Sequence, residues 1–342
     1  MAGIQDVLNG IHTDNKDPFQ AYAGHSKLAT IDICSYQDAS STDLVYTYEP
    51  LADDETSLSE WLNSYPSTSR GGCQLSGGVK LLIVHIGEQA NAASALRARR
   101  MLKLAFDQLQ LPTASLTPFW ARSSDFMSFP RTVAASGPCR QAYCLVMRFW
   151  ALTWSYDPDE KFSRGIVVVE RDYGEEPVDP LEKTINALKD FVDQPCFLGF
   201  AAIVVALTRV SASILKTYSD SKDMKYRFQG QRTNEPDAVA GLADPSKAST
   251  DVLNHTSRVL GYHDRLRILQ NLNTFLSKQL SAFRANMAGE SEDRRQRAAT
   301  LDESLIHMEQ KITSLVSVTQ KVKDRAAMQV AALFNIIAQN DS

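Results

Sequence analysis

The chain has 342 residues, 44% of them apolar, with 36 Lys and Arg against 40 Asp and Glu and a formal net charge of −4. That length and apolar content support a real core, give room for two domains or one large domain with an appendage, and exclude a disordered chain. The slightly acidic balance gives no global pull toward nucleic acid or acidic lipid, both of which select a basic surface, so no nucleic acid is expected as a partner.

Residues 1–75 are rich in Asp, Ser, Thr and Tyr with weak periodicity, and short elements and loops are expected there. Asp53-Asp-Glu-Thr-Ser57 reads as a helix start leading into Trp61 and Leu62. Gly71 to Gly78 is turn-rich and feeds Val79 to Ile86, a β-rich apolar run of buried-strand length. Glu88 to Leu109 follows as a helix with a stripe at Leu96, Met101, Leu104, Ala105 and Leu109, ended by Pro112. Ala142–Trp150 and Gly165–Glu170 are further strands, joined through a hairpin-like connection in Ser155–Glu160. Asp179 opens a helix through Val192, Pro195 interrupts it, and Phe197 to Asp220 continues as a largely buried helix. The apolar run Cys196–Leu207 is 12 residues long, against about 20 for a helix that spans a bilayer, so it is read as core.

The fold class expected is an α/β domain over residues 1–228, poorly defined over 1–75, then a loop at 229–249 and a long helical hairpin over 250–342. The first arm carries a stripe at Val252, Val259, Leu266, Leu269, Leu272, Phe275, Leu276, Leu280 and Phe283. Gly289 and the charged run Glu290–Arg297 make the bend. On the second arm Leu301, Leu305, Met308, Ile312, Leu315, Thr319, Val322 and Ala326 follow the alternating four-three spacing of a heptad seam. One extra residue shifts the register, and Val330, Leu333 and Ile337 resume it. Part of this coiled-coil seam is expected to pack on Leu266–Phe283 within the chain. The stretch from Val322 onward is expected to seek other subunits. No Gly or Pro follows Phe334, so the helix is expected to run on past Ser342, as a stalk cut from a longer protein.

Motifs for catalysis are missing. Gly72-Cys-Gln-Leu-Ser-Gly77 has the first spacing of a phosphate loop, but Gly78-Val-Lys80 follows it and the next element reads as a strand, not a helix. The six histidines form no His-x-x-x-His pair and no cluster with Cys, and there is no Gly-x-Ser-x-Gly elbow, so no enzyme is expected. Five cysteines, Cys34, Cys73, Cys139, Cys144 and Cys196, without a Cys-x-x-Cys pair, are read as reduced thiols of a cytosolic chain. A hard divalent cation such as magnesium needs few fixed oxygen ligands, since it keeps several waters. Asp324, an isolated acid of the terminal helix within Lys321-Val-Lys-Asp-Arg325, is a candidate ligand on that ground, against its reading as a solvated surface charge.

The order of elements, an α/β domain and then a hairpin whose last helix is very long, resembles the cytosolic N-terminal part of CorA-type magnesium transporters. Ala327–Ser342 is similar to the stalk region of CorA-like proteins common in filamentous fungi, and Asp193-Gln-Pro-Cys-Phe-Leu-Gly-Phe200 resembles the helix start found midway in that group. The resemblance implies a homopentamer whose stalk continues into a pore-lining membrane helix, with magnesium as transported or regulatory ion. It also implies that cations bound between cytosolic domains favour the closed state. The Gly-Met-Asn pore signature and both membrane helices are absent from this sequence and are expected beyond Ser342. The expected function is therefore a cytosolic domain that senses cation and gates through its stalk. The alternative is a membrane-anchored scaffold or signalling protein of the same fold without transport.

Overall fold

Alternation of apolar residues with short polar ones builds a single large sheet, seen in the computed structural model, which describes residues 26–37, 42–64, 66–86, 92–121, 124–132, 140–147, 150–170, 178–230, 245–287 and 289–340. Its strands are β1 (Ser26–Gln37), β2 (Thr42–Leu51), β3 (Ser69–Arg70), β4 (Cys73–Ile86), β5 (Asp125–Thr132), β6 (Arg140–Met147), β7 (Trp150–Asp157) and β8 (Phe162–Glu170). Their order is β2-β1-β4-β8-β7-β6-β5, with β3 pairing β4. Only β4 and β8 run parallel, with Leu82 opposite Ile166; the other described pairs are antiparallel. Both faces of the central strands are covered, which explains the unbroken apolar run Leu81-Leu82-Ile83-Val84.

On one face lie α1 (Glu55–Asn63) and α2 (Ala92–Gln108). Leu58, Leu62, Met101, Leu102 and Phe106 pack there with Leu82, Val84, Val146, Ile166 and Val168. Asp54 caps α1, its carboxylate accepting from the Ser57 backbone N–H at 2.7 Å. Helix α2 ends before Pro112: the Leu111 N–H bonds to Phe106 O, the Gln110 N–H to Asp107 O, and Gln110 takes a φ of 55°. This is a Schellman stop with glutamine in the left-handed position usually given to glycine. A four-residue helix, α3 (Thr117–Trp120), and α4 (Val178–Ala187) follow in chain order.

The opposite face receives the first turns of α5 (Phe197–Gly230) and the last turns of α6 (Pro245–Ala285). Gly199 lies within van der Waals reach of Trp154 and Leu276. The Phe275 ring sits 5.0 Å from that of Tyr143, whose hydroxyl accepts from Gln279. Phe197–Asp220 is the stretch among the described residues long and apolar enough to cross a membrane. Over 197–207 every residue is buried except the half-buried Val204, as expected of a core helix. The last helix is α7 (Glu292–Asn340), 49 residues long.

Contacts divide the chain into two units, Met1–Val205 with Thr274–Asp302, and Ala206–Asn273 with Glu303–Ser342. The first contains the sheet. In the second, α5 and α6 meet where Thr217 donates to the Tyr262 hydroxyl at 3.5 Å. There α6 and α7 run antiparallel, with Gln270 donating to Glu309 at 3.1 Å and Asn273 to Leu305 O at 3.2 Å.

Three expectations are corrected. Residues 26–51, expected as loops and short elements, form β1 and β2, of 12 and 10 residues. The turn is confined to Gly71 and Gly72, whose φ of 57° and 91° meet the demand of a two-residue hairpin between β3 and β4. Gly77 and Gly78 lie inside β4 instead. The strand expected over 142–150 is two strands, β6 and β7, which pair antiparallel with Met147 opposite Trp150.

Candidate functional site

The candidate site is α7, its root and its seam. The root is set by charge. Asp193, in the turn before α5, is buried and forms ion pairs with Arg294 at 3.2 Å and Arg297 at 3.1 Å. Arg294, also buried, donates to the Asp193 backbone carbonyl at 3.0 Å, pairs with Glu290 at 2.5 Å and lies 4.8 Å over the Phe283 ring. Lys161, from the β7–β8 turn, reaches Glu290 at 3.2 Å, and Arg297 reaches Asp293 at 2.8 Å. Two segments far apart in sequence, the β7–β8 turn and the turn before α5, are thereby fastened to the start of α7 and to the residues leading into it.

Three cations face three acids here, so the cluster is balanced. Burial works to raise the Glu290 carboxyl, but the hydrogen bond and charge of Arg294, followed by those of Lys161, outweigh it and hold the group below its ordinary value. Burial pushes the neighbouring Tyr156 phenol up. Glu290 is thus held in its charged form and Tyr156 in its neutral one, which suits fastening. Sequence reading treated Glu290–Arg297 as a hydrophilic bend. The density of arginines beside a helix start was the signal, but the partner acid lies about a hundred residues upstream.

The seam residues fall into three groups. Leu305, Ile312, Leu315 and Val322 are buried within the second unit of the chain, together with Thr319, Ala326 and Gln329. Met308 and Val330 are half-buried, and the side chains of Leu333 and Ile337 lie outside what is described. The four-three spacing runs unshifted from Leu301 to Gln329. At the expected slip Gln329 is buried while Val330 beside it is half-buried. Other apolar residues of α7 face outward: Ile306, Met328 and Phe334 are 55%, 63% and 67% exposed.

Asp324 is exposed and accepts from the Gln320 amide one turn earlier at 2.8 Å. No group of three or more His, Cys, Asp or Glu that could hold a metal ion occurs among the described residues. Asp324 is therefore not joined to other acids within the described chain. On the same turn Arg325 stacks 4.9 Å over the Tyr218 ring of α5.

No protein-family model matches the chain, and no curated protein matches it. Among solved structures, that of the CorA magnesium transporter from Methanocaldococcus jannaschii is similar over 90% of this chain and 80% of its own, at 10% identity and a TM-score of 0.34. A likeness at that level carries no assignment of family or function.

Proposed function

We propose that this chain is the cytosolic part of a CorA-like divalent-cation transporter. In this reading α7 is the stalk, the chain assembles as a homopentamer, membrane helices follow the stalk, and intracellular magnesium bound between subunits sets the stalk geometry. The observation that carries the reading is α7 itself. It is an unbroken helix of 49 residues, roughly 70 Å at 1.5 Å per residue. Its first turns are fastened to the sheet unit by the Asp193 cluster, and apolar side chains stand outward at Met328 and Phe334. A long rod fixed at one end transmits small displacements, and outward apolar residues on it suit subunit packing. Magnesium would act by linkage: an ion that binds one arrangement of subunits better shifts the population toward it.

The test is the mass of the chain in solution by light scattering, with magnesium in excess and again with chelator. Magnesium-dependent growth toward five copies supports the reading. A mass indifferent to magnesium removes cation sensing and leaves the membrane-tethered scaffold as the better description.

A further inference from the structure

Across the sheet face covered by α1, the strand register places Asp32, Lys80, Arg164 and Ser155 in one row, each opposite the next on β1, β4, β8 and β7. The row is polar, with Asp32 half-buried and Lys80, Arg164 and Ser155 buried, and its first half is internally satisfied. Lys80 donates to the Trp61 and Ser64 carbonyls at the end of α1 and to the Ser64 hydroxyl, using all three ammonium hydrogens. The Trp61 ring lies 4.7 Å from its nitrogen, and the indole N–H donates to Asp32 at 2.7 Å. Lys80 therefore closes the carbonyl end of α1, where the helix dipole favours a cation.

The second half of the row is not satisfied. Arg164 is 7% exposed; one arm of its guanidinium donates to Glu160 at 2.5 Å, and its face lies 5.1 Å over the Phe162 ring. The other arm, Nη1, is shut off from solvent and has no hydrogen-bond partner among the described residues. Directly opposite, Ser155 is 1% exposed and its hydroxyl is likewise without a partner. Side chains paired this way have Cβ atoms about 5 Å apart, so one small group can meet both. The next buried hydroxyl on β7 behaves normally, Thr153 bonding to Ser115 at 2.9 Å.

Native interiors seldom leave a buried guanidinium arm without an acceptor. The charge around it decides which acceptor fits. Lys80, next in the row, spends its hydrogens on neutral oxygens, and Asp32 lies on its far side. Glu160 is exposed, so water screens its charge. Burial lowers the Lys80 pKa, with Asp32 working against that shift and Arg164 adding to it.

We propose that Arg164 and Ser155 form a binding subsite for a small oxyanion of the phosphate or sulfate class, whose oxygens accept from Nη1 and from the Ser155 hydroxyl. This site is separate from α7 and does not rest on the transporter reading.

The experiment is isothermal titration of the full chain with inorganic phosphate, with sulfate and chloride as parallel arms at matched ionic strength. Thermal unfolding followed by tryptophan fluorescence accompanies it. Saturable phosphate binding at one site per chain is expected, with sulfate competing and chloride not. Ser155→Ala, which keeps the backbone and volume, should weaken binding about tenfold, as for loss of one hydrogen bond to a charged group. Arg164→Lys should abolish it. Because phosphate and sulfate also stabilise proteins by exclusion from their surface, a thermal shift counts only if it saturates and shrinks in Ser155→Ala. Absence of binding heat, or equal binding by wild type and Ser155→Ala, would overturn the proposal and leave a buried water as the partner of Nη1.

Discussion

Asp193→Asn tests the fastening of α7 most directly, because it keeps shape and removes charge. The acid is buried and faces two guanidinium groups at 3.1 and 3.2 Å. Without it, Arg294, 4% exposed, retains Glu290 as its acid partner, while Arg297 keeps the exposed Asp293. Breaking a buried ion pair from one side costs about 3–5 kcal/mol, since the remaining charge stays desolvated. Arg297 is partly exposed and Glu290 still serves Arg294, so the expected loss lies at the lower end, about 3 kcal/mol. All four tryptophans, Trp61, Trp120, Trp150 and Trp154, lie in the sheet unit, so intrinsic fluorescence in urea reports on it. With a urea slope of about 2–3 kcal/mol per molar, the midpoint should fall by about 1 M. Combining the change with Arg294→Met should cost less than the sum of the two, because the second substitution removes the stranded charge. A loss below about 1 kcal/mol, or simple additivity, would refute the account of this cluster as a buried electrostatic fastening.

Gly78→Ala would ordinarily favour a strand, by about 0.5–1 kcal/mol. Here the new methyl would lie 2.6 Å from the Ile33 carbonyl and collide with the Phe162 ring, so a net loss of about 3 kcal/mol in urea melts is expected, and a neutral result would contradict the packing. His255 is buried; desolvation, helped by Arg258 and opposed by Asp220, holds its folded pKa below 6.5. The unfolded chain therefore takes up the proton first. Helix stability by circular dichroism should be flat above the ordinary value and fall as pH drops from 6.5 through the folded value. His255→Leu should flatten that fall, and an unchanged slope would place the effect elsewhere. Burial pushes the Cys144 and Cys196 thiols up to about 12, so at pH 8 a maleimide should modify them only at the rate of unfolding. Rapid native labelling of either would count against the described core.

The parts of the fold legible in the sequence are those whose periodicity is set by one dominant interaction. β4 announces itself because both of its faces are apolar, and α6 and α7 because each repeats a stripe. β1 was hidden: Ile31 and Ile33 face one side, while Thr30, Asp32 and Cys34 share the other, where Asp32 opens the polar row under α1, so the strand reads as a mixed segment. β2 is an edge strand with half-exposed residues and offers little contrast. Gly77 and Gly78 imitate a turn but serve close approach inside a strand. The stop of α2 carries no glycine at Gln110, yet Pro112 placed the end of the helix at Leu109, within one residue of the observed Gln108. The root cluster was out of reach for a different reason. An ion pair between residues 193 and 294 leaves no local pattern, and each residue alone reads as an ordinary surface charge.

The seam on α7 shows where sequence reading of a helix stops. A four-three stripe establishes that one side is buried, but is silent on whether the partner belongs to the same chain. In the second unit Asn273 supplies part of the answer. Its amide, buried, donates to the Leu305 carbonyl at 3.2 Å and to Glu309 at 3.0 Å, while Gln270 holds the other oxygen of Glu309 at 3.1 Å. Sliding α7 by one turn against α6 would strand that amide, which is the way a single buried polar residue fixes helix register. Leu305 and Ile312, flanking this contact, are therefore committed to the chain's own hairpin. Among the described residues of α7, the large apolar side chains left outward are Ile306, Met328 and Phe334, whose spacing does not follow the heptad. Among the described residues the regular stripe marks the intramolecular seam, and the subunit packing proposed for α7 would have to fall on apolar residues outside that stripe.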